Sequence, residues 1–240
     1  MHQLQRVVSL IYPDQCVLCE TRVEQRGGLC AECWRETPFL TGLLCHSCGV
    51  SLPGAADETV HCDECLATPR LWEAGRAALS YKGAGRRIVL ALKHADRLDL
   101  VPPCAEWMQR AGHSFLKETS LIVPVPAHWA RVLSRRYNQS LELARSLARC
   151  AEKSFAPDAL IRTRRTPTQD GKTVEERYAN VRDALAVNPR RQPLVSGSTV
   201  CLVDDVMTSG ATLTVATEGL LEAGATRVFI LVLARVEKGP

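Results

Sequence analysis

The sequence predicts an α/β fold with a mostly parallel sheet, preceded by a small cysteine-rich module. Three observations lead to this prediction. Eight of the 11 cysteines form four Cys-x-x-Cys pairs before residue 66, and after residue 70 apolar runs of strand length alternate with amphipathic stretches of helix length. The charge also changes sign between the two parts. We therefore divide the chain into a module at residues 1–70 and a larger domain at residues 71–240.

The composition excludes several classes of protein. The apolar fraction is 46% and the charged fraction is 23%, which is ordinary for a globular chain and excludes wholesale disorder. No apolar run approaches the roughly 18 residues that a membrane-spanning helix needs. Residues 1–12 lack the small-residue cleavage site of a secretory signal. We expect a cytoplasmic protein whose thiols stay reduced, so the paired cysteines call for an explanation other than disulfides.

The paired cysteines have the spacing of zinc ligands. A Cys-x-x-Cys turn directs two thiolates at one point, about 2.3 Å from a shared zinc, so four pairs predict two structural zinc ions in a double ribbon. The predicted ligands are Cys16, Cys19, Cys30, Cys33, Cys45, Cys48, Cys62 and Cys65. Pairing in sequence order is the simplest arrangement, and an interleaved arrangement stays open. A redox dithiol and an iron–sulfur cluster are alternatives for the same spacing, and His46 and His61 are interpreted as loop residues.

The charge of the module bears on its role. Residues 1–70 hold five basic and nine acidic residues. Zinc bound by four thiolates carries a formal charge of −2, so two such sites bring the module to about −8. An acidic surface repels phosphates, which favours a structural or protein-docking role over nucleic-acid binding.

Strands and helices alternate in the larger domain. Apolar runs bounded by turn residues predict strands at residues 72–81, 121–126, 199–203 and 228–234. Apolar residues at helical spacing predict helices at residues 86–94, 98–110, 138–150 and 212–223, the last of which ends at Gly224. Strands that are joined by helices form parallel sheets, which gives the predicted fold class.

The turn after the strand at residues 199–203 carries chemistry. Asp204 and Asp205 come first, and the sequence Thr-Ser-Gly-Ala-Thr at residues 208–212 leads into a helix. Free N–H groups at a helix N-terminus attract anions, and hydroxyls add donors. Carboxylates suit the hydroxyls of a sugar or a divalent cation instead. The turn therefore predicts a sugar 5′-phosphate whose vicinal diol lies on the acidic pair, the alternative being an ordinary capped loop.

Residues 203–212 resemble the phosphoribosyl pyrophosphate (PRPP) motif of type I phosphoribosyltransferases. The chain as a whole resembles the ComF family, in which a double zinc ribbon precedes that fold. Residues 123–126 with His128, residues 138–139 and the Arg-Thr-Pro-Thr-Gln stretch at 165–169 also match. The resemblance implies a type I phosphoribosyltransferase fold, PRPP and magnesium as ligands, and a role in natural competence, the handling of incoming single-stranded DNA.

The resemblance also implies roles for individual residues. The substrate-binding set would be Asp204 and Asp205 on the ribose hydroxyls, Thr208, Ser209, Gly210, Ala211 and Thr212 on the 5′-phosphate, and Val125 and Pro126 beside pyrophosphate. The catalytic set would be Asp204, Asp205 and Arg165. Arg165 lies in a basic stretch, residues 162–177, that would close over the ligand as a mobile loop. Residues 71–120 would supply the acceptor pocket.

The PRPP motif also resembles that of glutamine PRPP amidotransferase, but the cysteines do not fit glutamine chemistry. That enzyme uses an N-terminal cysteine as its nucleophile. Here His2 follows Met1, and the first cysteine, Cys16, belongs to a predicted zinc pair. We therefore expect no glutamine-dependent amination.

Three functions stay open. The first is a PRPP-binding protein that supports competence, with transfer of the phosphoribosyl group to an unidentified acceptor. The second is a non-catalytic adaptor for single-stranded DNA that docks a helicase-like partner, and the third is a PRPP-sensing regulator. The net charge of +7 over residues 131–191 suits either PRPP or DNA. Aromatic residues for base stacking are few there, which favours PRPP.

Overall fold

The computed structural model describes residues 14–24, 27–55, 59–94, 97–127, 137–163 and 184–237. Its strands are β1 Ala74–Ser80, β2 Leu121–Pro124, β3 Ser154–Phe155, β4 Leu160–Arg162, β5 Leu185–Val187, β6 Thr199–Met207 and β7 Arg227–Arg235. Five of them form a sheet in the order β1-β7-β6-β2-β3, and every pairing in it is parallel. Strands β4 and β5 form a separate antiparallel pair. The predicted α/β fold with a mostly parallel sheet is confirmed.

Two helices precede the strands in the cysteine-rich module, and the others lie between the strands. The helices are α1 Ala31–Glu36, α2 Asp63–Ala67, α3 Gly83–His94, α4 Val101–Ala111, α5 His113–Leu116, α6 Gln139–Cys150, α7 Gln192–Val195 and α8 Ala211–Glu222. A short 3-10 turn, Leu98–Leu100, leads into α4. Within the described residues, no helix has the length and the apolar character needed to cross a membrane.

Strand β6 divides the core because its side chains alternate between the two faces of the sheet. Cys201 and Val203 pack with residues of α3, α4 and α6 in one buried cluster. Val200 and Leu202 pack in a second cluster with residues of α8 and of the cysteine-rich module. The sheet is therefore covered on both faces, as a parallel sheet requires.

The prediction that this strand ends at Val203 was wrong. Strand β6 continues to Met207, since Asp204 pairs with Val232 of β7 and Met207 pairs with Arg235. In the sequence, the two adjacent acidic residues Asp204 and Asp205 indicated a turn. Near the carboxyl end of a parallel strand, however, polar side chains can face a site while the backbone stays in the ladder.

The cysteine-rich module lies directly against the sheet. Phe39 forms an antiparallel bridge with Leu79 of β1, and backbone hydrogen bonds join Leu40 N to Ala78 O (3.0 Å) and Ser80 N to Pro38 O (2.8 Å). In addition, the Trp72 indole donates to the carbonyl of Ser47 in the module at 2.5 Å. The division of the chain at residue 70 remains a prediction about domains, but the two parts pack as one body.

Candidate functional site

The eight paired cysteines form two four-thiol groups. Cys16, Cys19, Cys30 and Cys33 make up the first, and Cys45, Cys48, Cys62 and Cys65 make up the second, with all ligand atoms of a group within 4.8 Å of one another. Of the two pairings that the spacing left open, the structure therefore has the sequential one. We call these groups the first and second zinc sites.

The geometry of both groups fits zinc. A tetrahedral zinc with bonds of about 2.3 Å places its sulfurs about 3.8 Å apart. The Sγ atoms of Cys19 and Cys30 are 3.5 Å apart in the first site, and those of Cys48 and Cys62 are 3.7 Å apart in the second. His61 is not among the ligand atoms of either group, and its Nδ1 lies 3.0 Å from the Ser47 hydroxyl. Two tetrathiolate sites of this kind fit structural zinc.

The acidic pair lies on the last residues of β6. The Asp204 carboxylate accepts hydrogen bonds from the Ser140 hydroxyl at 2.7 Å and from the Asp205 backbone N–H at 2.9 Å. The ammonium of Lys93, near the end of α3, lies 3.2 Å from Asp205 Oδ2. Helices α3 and α6 thus each bring one polar side chain to the predicted site.

The two carboxylates differ in their electrostatic setting. Burial, together with the adjacent Asp205 charge, raises the pKa of Asp204 to about 7. The Ser140 hydroxyl and Lys93 act in the opposite direction but more weakly. Holding two carboxylates side by side without a ligand therefore costs folding free energy.

This cost predicts a stabilising variant. Asp204→Asn keeps the oxygen that accepts from Ser140 and removes one charge, so its melting temperature at about pH 8 should exceed that of the wild type by about 2–4 °C, or about 1 kcal/mol. The pKa of Asp204 is higher in the folded chain than in the unfolded one. The wild type therefore has the full stability from this group below about pH 4 and loses it as the pH rises through about 7. Thermal scans should show a larger difference at about pH 8 than at about pH 6; the same difference at both would contradict the assignment.

The loop after β6 has the backbone shape of an anion site. Thr208 is exposed and Ser209 is buried, and Gly210 has φ +84° and precedes α8, whose first two residues are Ala211 and Thr212. A Cβ atom at Gly210 would lie 2.9 Å from Met207 Cε in addition to facing the strain of a left-handed backbone. Helix α8 is 12 residues long, so its N-terminus carries a full helix dipole.

A second predicted turn lies beside this loop. Strand β2 is the neighbour of β6, and Val125 N donates to Val203 O at 2.9 Å. The Asn138 side chain donates to Val125 O at 3.2 Å, and the Arg162 guanidinium lies 3.5 Å from Pro126 O. The structure therefore brings Val125 and Pro126 to the same edge of the sheet as Asp204 and Asp205.

Two residues that the sequence analysis singled out for the site lie outside the part of the chain that the structure describes. They are Arg165 and His128, and most of the basic stretch at residues 162–177 lies outside it as well. The role of Arg165 therefore stays a prediction.

Two buried arginines beneath the loop were missed in the sequence. The side chain of Arg70 is 7% exposed and donates to Ser209 O at 3.1 Å. The side chain of Arg235 is 4% exposed and donates to the carbonyls of Met207 and Thr208. Ser140 was also missed. No local pattern marks these residues, because their partners are far away along the chain.

Comparison with known proteins covers both parts of the chain. A family model described as a double zinc ribbon domain matches residues 7–66. A family model described as a phosphoribosyl transferase domain matches residues 111–240, more than half of the chain. The predicted zinc ribbon and the predicted fold family are thereby confirmed.

Relatives match over nearly the whole length. The DNA utilization protein YhgH of Escherichia coli (strain K12) is 29% identical over 232 residues, which covers 94% of this chain and 99% of that protein. Competence protein F of Haemophilus influenzae is 27% identical over 229 residues, which covers 92% and 96%. A solved structure of the allosteric regulatory enzyme of purine biosynthesis covers 60% of this chain and 30% of that chain, with 20% identity and a TM-score of 0.41.

Proposed function

Because this chain belongs to the phosphoribosyl transferase domain family and joins that domain to the double zinc ribbon of the ComF family, we propose that it binds PRPP and transfers the phosphoribosyl group to an acceptor, releasing pyrophosphate. One observation carries the proposal. Asp204 and Asp205 lie near the carboxyl end of β6, two residues before the loop that leads into α8. Carboxylates suit a ribose diol, and the free N–H groups of the loop suit a 5′-phosphate. Both groups belong to PRPP.

The proposed binding mode assigns each part of the ligand. The 5′-phosphate lies on the loop, where Thr208, Ser209 and Thr212 offer hydroxyls in addition to the backbone. Asp204 and Asp205 accept hydrogen bonds from the 2′- and 3′-hydroxyls, and pyrophosphate lies beside Val125 and Pro126. Magnesium bound with PRPP would neutralise part of the charge on the pyrophosphate oxygens.

The proposed reaction breaks the bond between C1′ and the pyrophosphate oxygen. Pyrophosphate leaves with the bonding electrons, and a nucleophilic atom of the acceptor forms the new bond to C1′. Positive charge builds on the ribose as the bond breaks, and the nearby carboxylates stabilise it. The site therefore acts by positioning and fixed charge, and Arg165 is the predicted cation for the leaving group.

The names of the relatives suggest a biological setting. One is a DNA utilization protein and another is a competence protein. We accordingly propose that the protein acts in the cytoplasm and that its activity supports the uptake of incoming DNA. We also propose that the acidic zinc module docks a helicase-like partner. Direct binding of single-stranded DNA is the second candidate, favoured by the basic residues at 131–191.

Calorimetry with PRPP and magnesium tests the proposal. We expect the wild type to bind one PRPP per chain and to release pyrophosphate once a suitable acceptor is supplied from a panel of bases and amines. No binding would overturn the proposal. Binding without pyrophosphate release across the panel would instead favour a PRPP-sensing regulator. A gel shift with single-stranded DNA over a salt series tests the second candidate, which requires salt-sensitive binding.

A further inference from the structure

We propose that the second zinc site holds the phosphate loop in its binding shape through Arg70 and Arg235, so that zinc binding and PRPP binding strengthen each other. The inference rests on the proposed function and deepens it by naming what controls the site. It assigns Arg70, Arg235 and Glu64 as positioning residues, which act on the loop rather than touching the ligand.

Arg70 connects the second zinc site to the loop directly. Its guanidinium donates to Ser209 O at 3.1 Å and to Glu64 Oε1 at 3.0 Å. Its guanidinium also lies 5.5 Å from the centre of the Trp72 ring. A single buried side chain thus contacts both the phosphate loop and Glu64, the residue before the zinc ligand Cys65.

Arg235 makes the parallel connection from the end of β7. Its guanidinium donates to Met207 O at 3.3 Å and to Thr208 O at 2.5 Å. Its Nη2 lies 4.0 Å from Glu64 Oε2, so one carboxylate of α2 contacts both arginines. Buried charges of this kind depend on their partners, and loss of Glu64 would leave two guanidinium groups poorly compensated.

These contacts fix the direction of the loop's donors. In a planar trans peptide, the N–H group points opposite to the carbonyl of the preceding residue. The carbonyls of Met207, Thr208 and Ser209 point towards the arginines. The N–H groups of residues 208–210 consequently point to the other side, where the proposed 5′-phosphate lies. The arginines therefore orient three donors for one anion.

Zinc holds the other end of this connection. Helix α2 has five residues, begins directly after Cys62 and contains Cys65. A helix this short does not persist by itself, so its position depends on the metal that Cys62 and Cys65 bind. Without zinc at the second site, Glu64 would no longer hold Arg70 beneath the loop.

The first zinc site has a different surrounding and serves as an internal control. Its neighbour Val17 accepts a hydrogen bond from Arg97 at 3.3 Å, and Gly27 lies against Pro103 of α4. Within the part of the chain that the structure describes, neither the first zinc site nor these neighbours of it contact the loop at residues 207–210. Coupling through Arg70 and Arg235 should therefore be confined to the second site, and by linkage PRPP should protect that zinc alone.

The test measures zinc release from the full-length protein to a chromophoric chelator, with and without PRPP and magnesium. We expect two phases, of which PRPP slows one about tenfold and leaves the other unchanged. The Cys19→Ser variant, which lacks a ligand of the first site, should retain the protected phase. Arg70→Lys should bind PRPP about tenfold more weakly and lose the selective protection, whereas the matched variant Arg97→Lys should behave as the wild type.

Each other result overturns the inference. If calorimetry shows that PRPP binds but neither phase slows, the coupling is absent while the proposed function stands. Equal slowing of both phases would indicate general stabilisation and not a path through the arginines. If the wild type does not bind PRPP, the proposed function and the coupling fail together. Because the wild type alone decides these outcomes, the test survives even if Arg70→Lys fails to fold.

Discussion

Removal of both zinc ions is expected to unfold the N-terminal module and to lower the melting temperature of the chain by about 10–20 °C. Apart from cysteines, Val17 and Leu40 are the only buried apolar side chains in the described part of residues 14–70. Metal ligation therefore replaces the core that the module lacks. Loss of even about 5 kcal/mol would produce a shift of this size in a chain of this length.

Thermal unfolding before and after chelation, with the zinc content determined on the same samples, measures this effect. The intact protein should contain about two zinc ions per chain, and readdition of zinc should restore the transition. Cys45→Ser/Cys48→Ser should lose one zinc ion and most of the stability, because the second site packs in the core with Trp72 and Met207. Cys150→Ser is the control, since Cys150 is exposed at the end of α6. An unchanged melting temperature in zinc-free protein would contradict a structural role.

The second large effect is expected at the acidic pair. Asp204→Asn/Asp205→Asn should weaken PRPP binding about 100-fold, because each carboxylate is proposed to accept a charge-assisted hydrogen bond from the ribose. The freed ammonium of Lys93 would attract the anionic ligand, but this one partly buried cation would offset only part of the two lost charge-assisted hydrogen bonds. The loss of hydrogen bonds should therefore dominate.

Calorimetry with PRPP and magnesium measures this change, and the stability of the same samples separates it from misfolding. The double variant should bind weakly while melting no lower than the wild type, since it removes two adjacent charges. Glu118→Gln is the matched control, because Glu118 pairs with Arg227 at the amino end of β7. The acidic pair lies at the other end of the strands. If the double variant binds PRPP as tightly as the wild type, the acidic pair is not part of the binding site.

The sequence predicted those parts of the fold that leave a continuous local signal. The four predicted strands are present because each contains a run of at least four mostly apolar residues. Strands β3, β4 and β5 have only two or three residues, too few for periodicity to register. The zinc pairing had to come from the structure, because the same spacing suits a sequential and an interleaved arrangement.

The candidate site follows the same rule. Residues 204–212 are contiguous, so their order alone indicated a phosphate site next to a diol site. The groups that support them come from elsewhere: Ser140 is 64 positions from Asp204, and Arg70 is 139 positions from Ser209. Such contacts depend on how helices and the zinc module pack on the sheet, which no local pattern encodes.

The bridge between Phe39 and Leu79 has a consequence for the behaviour of the chain in a crowded solution. Strand β1 has a single neighbour within the sheet, and residues 38–40 cover its other side. An uncovered edge strand offers its backbone N–H and C=O groups to any extended chain and so promotes aggregation. The covering segment lies between ligands of the two zinc sites, Cys33 and Cys45. Zinc bound on both sides of this segment would keep it against β1, and we expect zinc-free protein to aggregate more readily than the zinc-bound form.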